Sequence, residues 1–130
     1  MLLRVATALV FFLHAIARVW NDTIGIFGSF LNQKGLVIGT PLVWAITAFE
    51  LIGGVLLAIG KFSKLVCFGF LFILLVGIVL IHFSHGWFVG EHGTGGMEYS
   101  FILIIALLTV MSAEEQKSRP GGDQFWAFKK

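Results

Sequence analysis

The sequence predicts an all-α, polytopic membrane protein: a four-transmembrane-helix bundle with a short interfacial helix between helices 1 and 2. Its 130 residues are 58% hydrophobic and 12% charged, with a mean hydropathy of +0.95. Soluble domains carry roughly 25% charged residues, so this composition cannot build a water-facing surface. Seven charged residues fall in Ala113–Lys130, which leaves nine among long apolar runs. A soluble enzyme, a nucleic-acid binder and a disordered chain are therefore excluded.

Four stretches are apolar enough to cross a hydrocarbon core that is roughly 30 Å thick. They are Leu2–Trp20, Pro41–Ile59, Leu65–Phe83 and Met97–Ser112. The fourth is short, at about 24 Å by helical rise, and needs flanking residues to finish the crossing. We accordingly divide the chain into a transmembrane domain, residues 1–112, and a tail, residues 113–130.

The two remaining segments have patterns typical of the membrane surface. Between the first two spans, Phe27, Phe30 and Leu31 recur at helical spacing, which predicts a short helix lying in the interface. The tail ends in aromatic residues and lysines, Phe125–Lys130, a combination that suits the lipid headgroup layer. We therefore expect the tail to act as an interface anchor; the alternative is a peptide that docks onto a partner.

The distribution of basic residues predicts the orientation. Alternating spans place the N-terminus, the Gly60–Lys64 turn and the tail on one side, which holds seven basic residues. The opposite side holds two, Arg18 and Lys34. Because cytoplasmic loops carry the excess of Lys and Arg, both termini are predicted to be cytoplasmic, in a bacterial inner membrane. The first and third connections then face the periplasm.

Ionisable residues concentrate at the predicted periplasmic end of the spans. A charge inside the bilayer is costly, so it normally faces the bundle interior and marks function. Glu50 lies about 13 Å into the second span, and His14 about 8 Å into the first, with Arg18 one turn above it. Glu98 begins the fourth span. We predict that Glu50, His14 and Glu98 exchange protons, and that Glu50 pairs with His14 or Arg18; the alternative is a protonated, purely structural Glu50.

The densest polar run is residues 82–99. Imidazoles and carboxylates are ligands for zinc and non-haem iron, and histidine also ligates haem. The predicted metal ligands are His82, His85, Glu91 and His92. Their spacing follows no recognised metal signature, so the alternative is a hydrogen-bonded polar lid. The residues predicted to bind a cofactor, either a quinone or a haem, are Arg18, His82, His85, Trp87 and Tyr99.

Several short segments occur in an order that is typical of one membrane protein family. They are Arg4, His14–Arg18, Pro41–Ala45, Phe49–Gly54, Gly60–Lys64, Gly86–Phe88 and Gly95–Tyr99. Together they resemble the DoxX family of small four-helix membrane proteins, from about Arg4 to Ser112. Ala15 and Arg18 stand where that family commonly has glycine and lysine, so a role specific to lysine does not transfer.

The resemblance implies a membrane subunit associated with redox systems, because family members are linked to thiosulfate:quinone oxidoreductase, terminal quinol oxidases and oxidative-stress complexes. We expect a subunit of a respiratory or redox complex, in contact with lipids and other membrane subunits, whose periplasm-facing pocket binds a quinone or haem. Whether the chain itself catalyses a quinone-linked reaction is left open. The alternatives are a non-catalytic stabilising or assembly subunit and, more remotely, a small transporter, since the sequence has no visible inverted repeat.

Overall fold

A computed structural model describes residues 1–89 and 95–118, and this part of the chain is helical. Its elements are α1 (Leu2–Trp20), α2 (Ile24–Gln33), α3 (Gly39–Ile59), α4 (Ser63–Gly77), a π-helical turn (Ile78–His82), a 3₁₀ turn (Phe83–His85) and α5 (Glu98–Ser118). Within these ranges the one extended pairing is an isolated bridge between Val89 and Gly95. The predicted all-α class is confirmed.

Three segments of the described chain are long and apolar enough to cross a membrane: Leu2–Trp20, Gly39–Ile59 and Ser63–His85. The third joins α4 to the two turns that follow it. Helix α5 has the same length as α3, 21 residues, but it is not among these three. The fold therefore supports a helical membrane protein, while the fourth predicted span stays a prediction. The predicted tail anchor falls mostly on residues 119–130, outside the described part.

The core lies between α1, α3, α4 and α5. At its centre the rings of Phe11 and Phe70 stack with centroids 3.9 Å apart, and Leu57, Cys67 and Leu107 around them are fully buried. Most other large apolar side chains on these helices are exposed on the outside of the bundle. Such a distribution is expected where the solvent is lipid, because burial between helices then brings little hydrophobic gain.

Helix α2 folds back over the start of α3. The two backbones meet at Gly28 and Gly39, where a Cβ atom on Gly28 would lie 2.6 Å from Thr40 Cα. The Asn32 side chain accepts a hydrogen bond from Gly39 N–H at 2.7 Å. The predicted short helix between the first two spans is therefore present, and glycine permits its close packing.

Candidate functional site

Arg18 and Glu50 form an ion pair in the interior of the molecule. Arg18 lies in the last turn of α1, and its Nη1 donates to Glu50 Oε2 and to Thr47 Oγ1, both at 2.8 Å. The side chains of Arg18 and Glu50 are only 9% and 3% exposed. Thr47 and Glu50 meet the same cation because residues three apart share a helix face. Of the two partners predicted for Glu50, the structure selects Arg18.

Two further contacts hold the pair in place. The Thr47 hydroxyl donates to Val43 O at 2.7 Å, so it accepts from Arg18 while donating within its own helix. The Phe27 ring of α2 lies 5.7 Å from Arg18 Cζ and covers the guanidinium. Neither Thr47 nor Phe27 was predicted as a site residue. The position of Thr47 one turn before Glu50 is the signal in the sequence that would have found it.

His14 lies one turn before Arg18 and is more accessible. No hydrogen bond to its ring is present among residues 1–89 and 95–118. It is close enough to Arg18 and His82 for an electrostatic interaction with both side chains. We call His14, Arg18, Thr47, Glu50 and His82 the polar cluster.

His82 and His85 each form a hydrogen bond to a backbone carbonyl oxygen through Nδ1 of their own ring. His82 Nδ1 bonds to Gly95 O at 2.9 Å, and His85 Nδ1 bonds to Ile81 O at 2.7 Å. Because a carbonyl oxygen only accepts, each Nδ1 must carry the proton, and Nε2 of the neutral ring is then an acceptor. His82 lies in the π-helical turn, a distortion that is frequent at functional sites.

Glu98 lies in the first turn of α5 and forms hydrogen bonds to the backbone of the segment that precedes this helix. Its Oε1 accepts from Val89 N–H at 2.9 Å, and its own N–H donates to Trp87 O at 3.0 Å. In the described ranges none of its hydrogen bonds goes to Glu50 or His14. The structure thus places Glu98 at the loop rather than in the ion pair.

Two aromatic residues predicted to bind a cofactor lie near the same loop. The Trp87 ring is 5.3 Å from the ring of Phe101 and is half-exposed, while Tyr99 is 65% exposed. Two of the predicted metal ligands, Glu91 and His92, lie outside the described residues. Within the part that is described, no group of three or more potential ligand side chains comes together. The metal site therefore stays a prediction.

These features define a small, helical membrane protein with a buried ion pair and most of its histidines at one end of the helices. The chain belongs to the DoxX family, whose model matches residues 1–83. The matched segment contains the whole polar cluster but ends before the loop and α5. The resemblance predicted from the sequence motifs is therefore confirmed.

A curated relative extends the match. The chain is 34% identical over 110 residues to a protein of Bacillus subtilis (strain 168) named "Putative oxidoreductase CatD". The alignment covers 81% of this chain and 71% of the relative. No solved structure matches the chain.

Proposed function

We propose that this protein is an integral membrane subunit of a respiratory or other redox complex, and that its polar cluster binds a quinone ring and exchanges protons with it. The observation that carries this proposal is the ion pair between Arg18 and Glu50, which is almost fully buried between two candidate spans. Ionisable residues in such positions commonly mark substrate or proton paths. Membership of the DoxX family and the name of the Bacillus relative support the association with redox chemistry.

The donor set of the polar cluster suits a quinone, which supplies electron transfer and takes up protons at its ring oxygens. The accessible ring of His14 can donate to or accept from a ring oxygen, and the His82 Nε2, as an acceptor, can accept from a hydroxyl of the reduced, quinol form. Arg18 is already bonded to Thr47 and Glu50, and it fixes the position of the carboxylate. In this proposal the histidines orient the ring and exchange protons with it.

Glu50 and Glu98 complete the proposed proton path. Glu50 lies deeper in the spans than His14 and would take or deliver protons there. Glu98, in the first turn of α5, exchanges protons with water at the surface. Trp87 and Tyr99 are exposed near this end and flank the entrance with flat apolar rings.

A haem is the alternative cofactor in the same proposal. Imidazole Nε2 ligates haem iron. The hydrogen bonds of His82 and His85 to carbonyl oxygens use Nδ1, so they do not occupy Nε2 in either ring. The proposed zinc or iron site would use these two rings together with Glu91 and His92. The visible spectrum and the metal content of the purified protein distinguish these possibilities from a quinone.

Binding of a short-chain quinone tests the proposal directly. We expect decylubiquinone to quench the tryptophan fluorescence of the purified protein, because Trp87 flanks the proposed entrance. His14→Asn should weaken this binding about tenfold, which corresponds to the loss of one hydrogen bond to a partly charged group. Glu50→Gln should also weaken it, indirectly, because it breaks the ion pair that positions Arg18 in the polar cluster. Asp22→Asn, an exposed carboxylate removed by the same chemical change, is the matched control and should bind as the wild type does.

Activity in membranes provides the second measurement. Quinone-linked electron transfer should fall in membranes that carry the Glu50→Gln variant and remain at the wild-type level with Asp22→Asn. If the protein binds no quinone, has no redox spectrum, and Glu50→Gln leaves quinone-linked activity unchanged, the proposal is wrong.

The same proposal includes four spans with both termini in the cytoplasm of a bacterium, and the polar cluster facing the periplasm. Its support is the ion pair between Arg4 Nη1 and Glu114 Oε1, 2.9 Å long, which joins the start of α1 to the end of α5. The start of α1 and the end of α5 therefore lie at the same end of the bundle, and α5 packs beside α4 and α1. The excess of basic residues at this end supports the cytoplasmic assignment.

A specific observation also favours a second function, that of a non-catalytic stabilising or assembly subunit. The hydrogen bonds of Arg18 to Thr47 and Glu50 join α1 to α3, and such bonds can serve only to stabilise the packing of the two helices. Outward-facing apolar side chains offer surface to neighbouring subunits. In that case the protein co-purifies at fixed stoichiometry, and its deletion lowers the abundance of a partner rather than the turnover of each remaining complex.

A further inference from the structure

A second group of polar residues lies at the opposite end of the molecule, where α1 and α4 begin and α3 and α5 end. The guanidinium of Arg4 bonds to Glu114 and lies against Gly60, where a Cβ atom would fall 2.6 Å from Arg4 Nη1. An open cavity of about 450 Å³ lies at this junction. Its lining residues are Gly60, Phe62, Ser63, Lys64, Leu65 and Glu114.

The first turn of α4 brings unsatisfied donors to this cavity. Ser63 is only 6% exposed, and its hydroxyl has no hydrogen-bond partner in the described residues. The first intrahelical bond of α4 joins Val66 N–H to Phe62 O, so within residues 1–89 and 95–118 the amides of residues 63–65 have no backbone acceptor. Buried polar groups are normally bonded, so the buried Ser63 hydroxyl indicates an acceptor that the described chain does not supply, and the first-turn amides beside it can donate to the same acceptor.

The charges at the cavity favour an anion. The carboxylate of Glu114 is offset by Arg4, whose Nε is also buried without a partner among the described residues. Lys64 adds a further cation, and the N-terminus of a helix carries roughly half a positive charge. A negatively charged group with several acceptor oxygens therefore fits this position.

The apolar side chains at the same place indicate where this anion comes from. Phe62 and Leu65 line the cavity, and each is 70% exposed. They lie at the beginning of the candidate span Ser63–His85, where a membrane-spanning helix meets the lipid headgroups. An anion that carries acyl chains satisfies both the donors and these exposed apolar surfaces.

We propose that this cavity is a phospholipid site that binds the phosphodiester of an anionic headgroup. The Ser63 hydroxyl and the amides of the first turn of α4 donate to the phosphate oxygens, and the Lys64 ammonium pairs with its charge. The acyl chains lie along Phe62 and Leu65. This site is independent of the redox function proposed for the polar cluster.

Thermal unfolding of the full-length protein tests the phospholipid site. The protein is held in an uncharged detergent and a phosphate-free buffer and titrated with dioleoylphosphatidylglycerol. A ligand that binds the native state raises the unfolding midpoint. We expect this lipid to raise it, whereas dioleoylglycerol, with the same acyl chains but no phosphate, and inorganic phosphate at the same concentrations leave it unchanged.

Variants in one short segment distinguish binding at this site from non-specific attraction of the lipid to surface charge. Ser63→Ala and Lys64→Gln should each weaken the apparent affinity for the lipid about tenfold, because each removes a hydrogen bond or ion pair to a charged oxygen. Lys61→Gln makes the same charge change three residues away, outside the cavity, and should retain the response. Without lipid, Ser63→Ala should be at least as stable as the wild type, because it removes a buried hydroxyl that has no partner.

Three results would overturn the proposal. An equal response to dioleoylglycerol would mean that only the acyl chains bind. An equal response to inorganic phosphate would assign the site to a free anion rather than a lipid. Equal weakening by Lys61→Gln and Lys64→Gln would reduce the effect to diffuse attraction at a basic surface.

Discussion

At the scale of single residues, the position of Arg18 decides what Glu50 can do. A lone carboxylate at this depth would face lipid or apolar side chains at a cost of several kcal/mol. The Arg18 guanidinium compensates its charge, and Thr47 and Phe27 occupy further sides of the same cation. The buried pair is therefore a neutral unit in which neither charge is tolerated without the other.

This interdependence predicts a specific pattern in a double-mutant cycle. Glu50→Leu leaves Arg18 buried and unpaired, which should lower the free energy of unfolding by about 3–5 kcal/mol. The double variant Arg18→Leu/Glu50→Leu removes both charges and should recover much of that loss. Thermal unfolding in detergent measures both effects.

An exposed cation provides the control for this cycle. Lys34→Gln changes a residue whose Nζ lies 5.5 Å from the Phe30 ring at an exposed position, so its effect should stay within about 1 kcal/mol. Equal destabilisation by the single and the double variant at Arg18 and Glu50 would show that the two charges are not coupled.

At the scale of elements, α2 packs over the Arg18 side chain of the polar cluster. It contributes Phe27 over the Arg18 guanidinium, and it approaches α3 through Gly28. The close contact between the two backbones requires a residue without a side chain at Gly28. The packing of α2 is therefore more sensitive to a small substitution than its exposed location suggests.

Two glycines of α2 allow a matched test of this packing. A Cβ atom at Gly28 would lie 2.6 Å and 2.7 Å from backbone atoms of Thr40, whereas at Gly25 nothing lies within 4 Å. Gly28→Ala should destabilise the protein by about 1–3 kcal/mol because backbone must shift. Gly25→Ala should be neutral or stabilising, since alanine has the higher helix propensity by about 1 kcal/mol. A similar unfolding midpoint for both variants would contradict this account of how α2 packs.

At the scale of the whole molecule, the two ends of α5 bear on whether this helix crosses the membrane. Its apolar middle is bounded by Glu98 at one end and by Glu114 and Glu115 at the other. Its end nevertheless meets the start of α1 through the ion pair of Arg4 with Glu114. The alternation of helices therefore favours a crossing.

Cysteine labelling can determine the side on which each segment lies. We expect a membrane-impermeant maleimide to label Ser29→Cys in intact cells, and to label Lys61→Cys and Gln116→Cys only after the cells are permeabilised. The native Cys67 is fully buried, so the wild type is the unlabelled control. Labelling of Gln116→Cys together with Ser29→Cys would mean that α5 does not cross, and a reversed pattern for all three would invert the orientation.

The sequence alone determined the class of protein, the approximate extent of its long helices, the short helix between the first two and the family. These properties follow from composition and from the length of apolar runs, which are local and additive. The bounds were less well determined. Helix α5 continues to Ser118, past the predicted limit of its apolar stretch, because the residues after Ser112 include good helix formers such as alanine and glutamate.

Only the tertiary structure decided which charged residues meet. His14 and Arg18 lie one turn apart on α1, and either was a possible partner for Glu50 from sequence alone. The choice of Arg18 depends on how α1 is rotated and positioned against α3, which is set by contacts far apart in the chain, such as the stacked rings of Phe11 and Phe70. Spacing along one helix predicts which side chains share a face, but packing between helices determines which atoms come within 2.8 Å of each other.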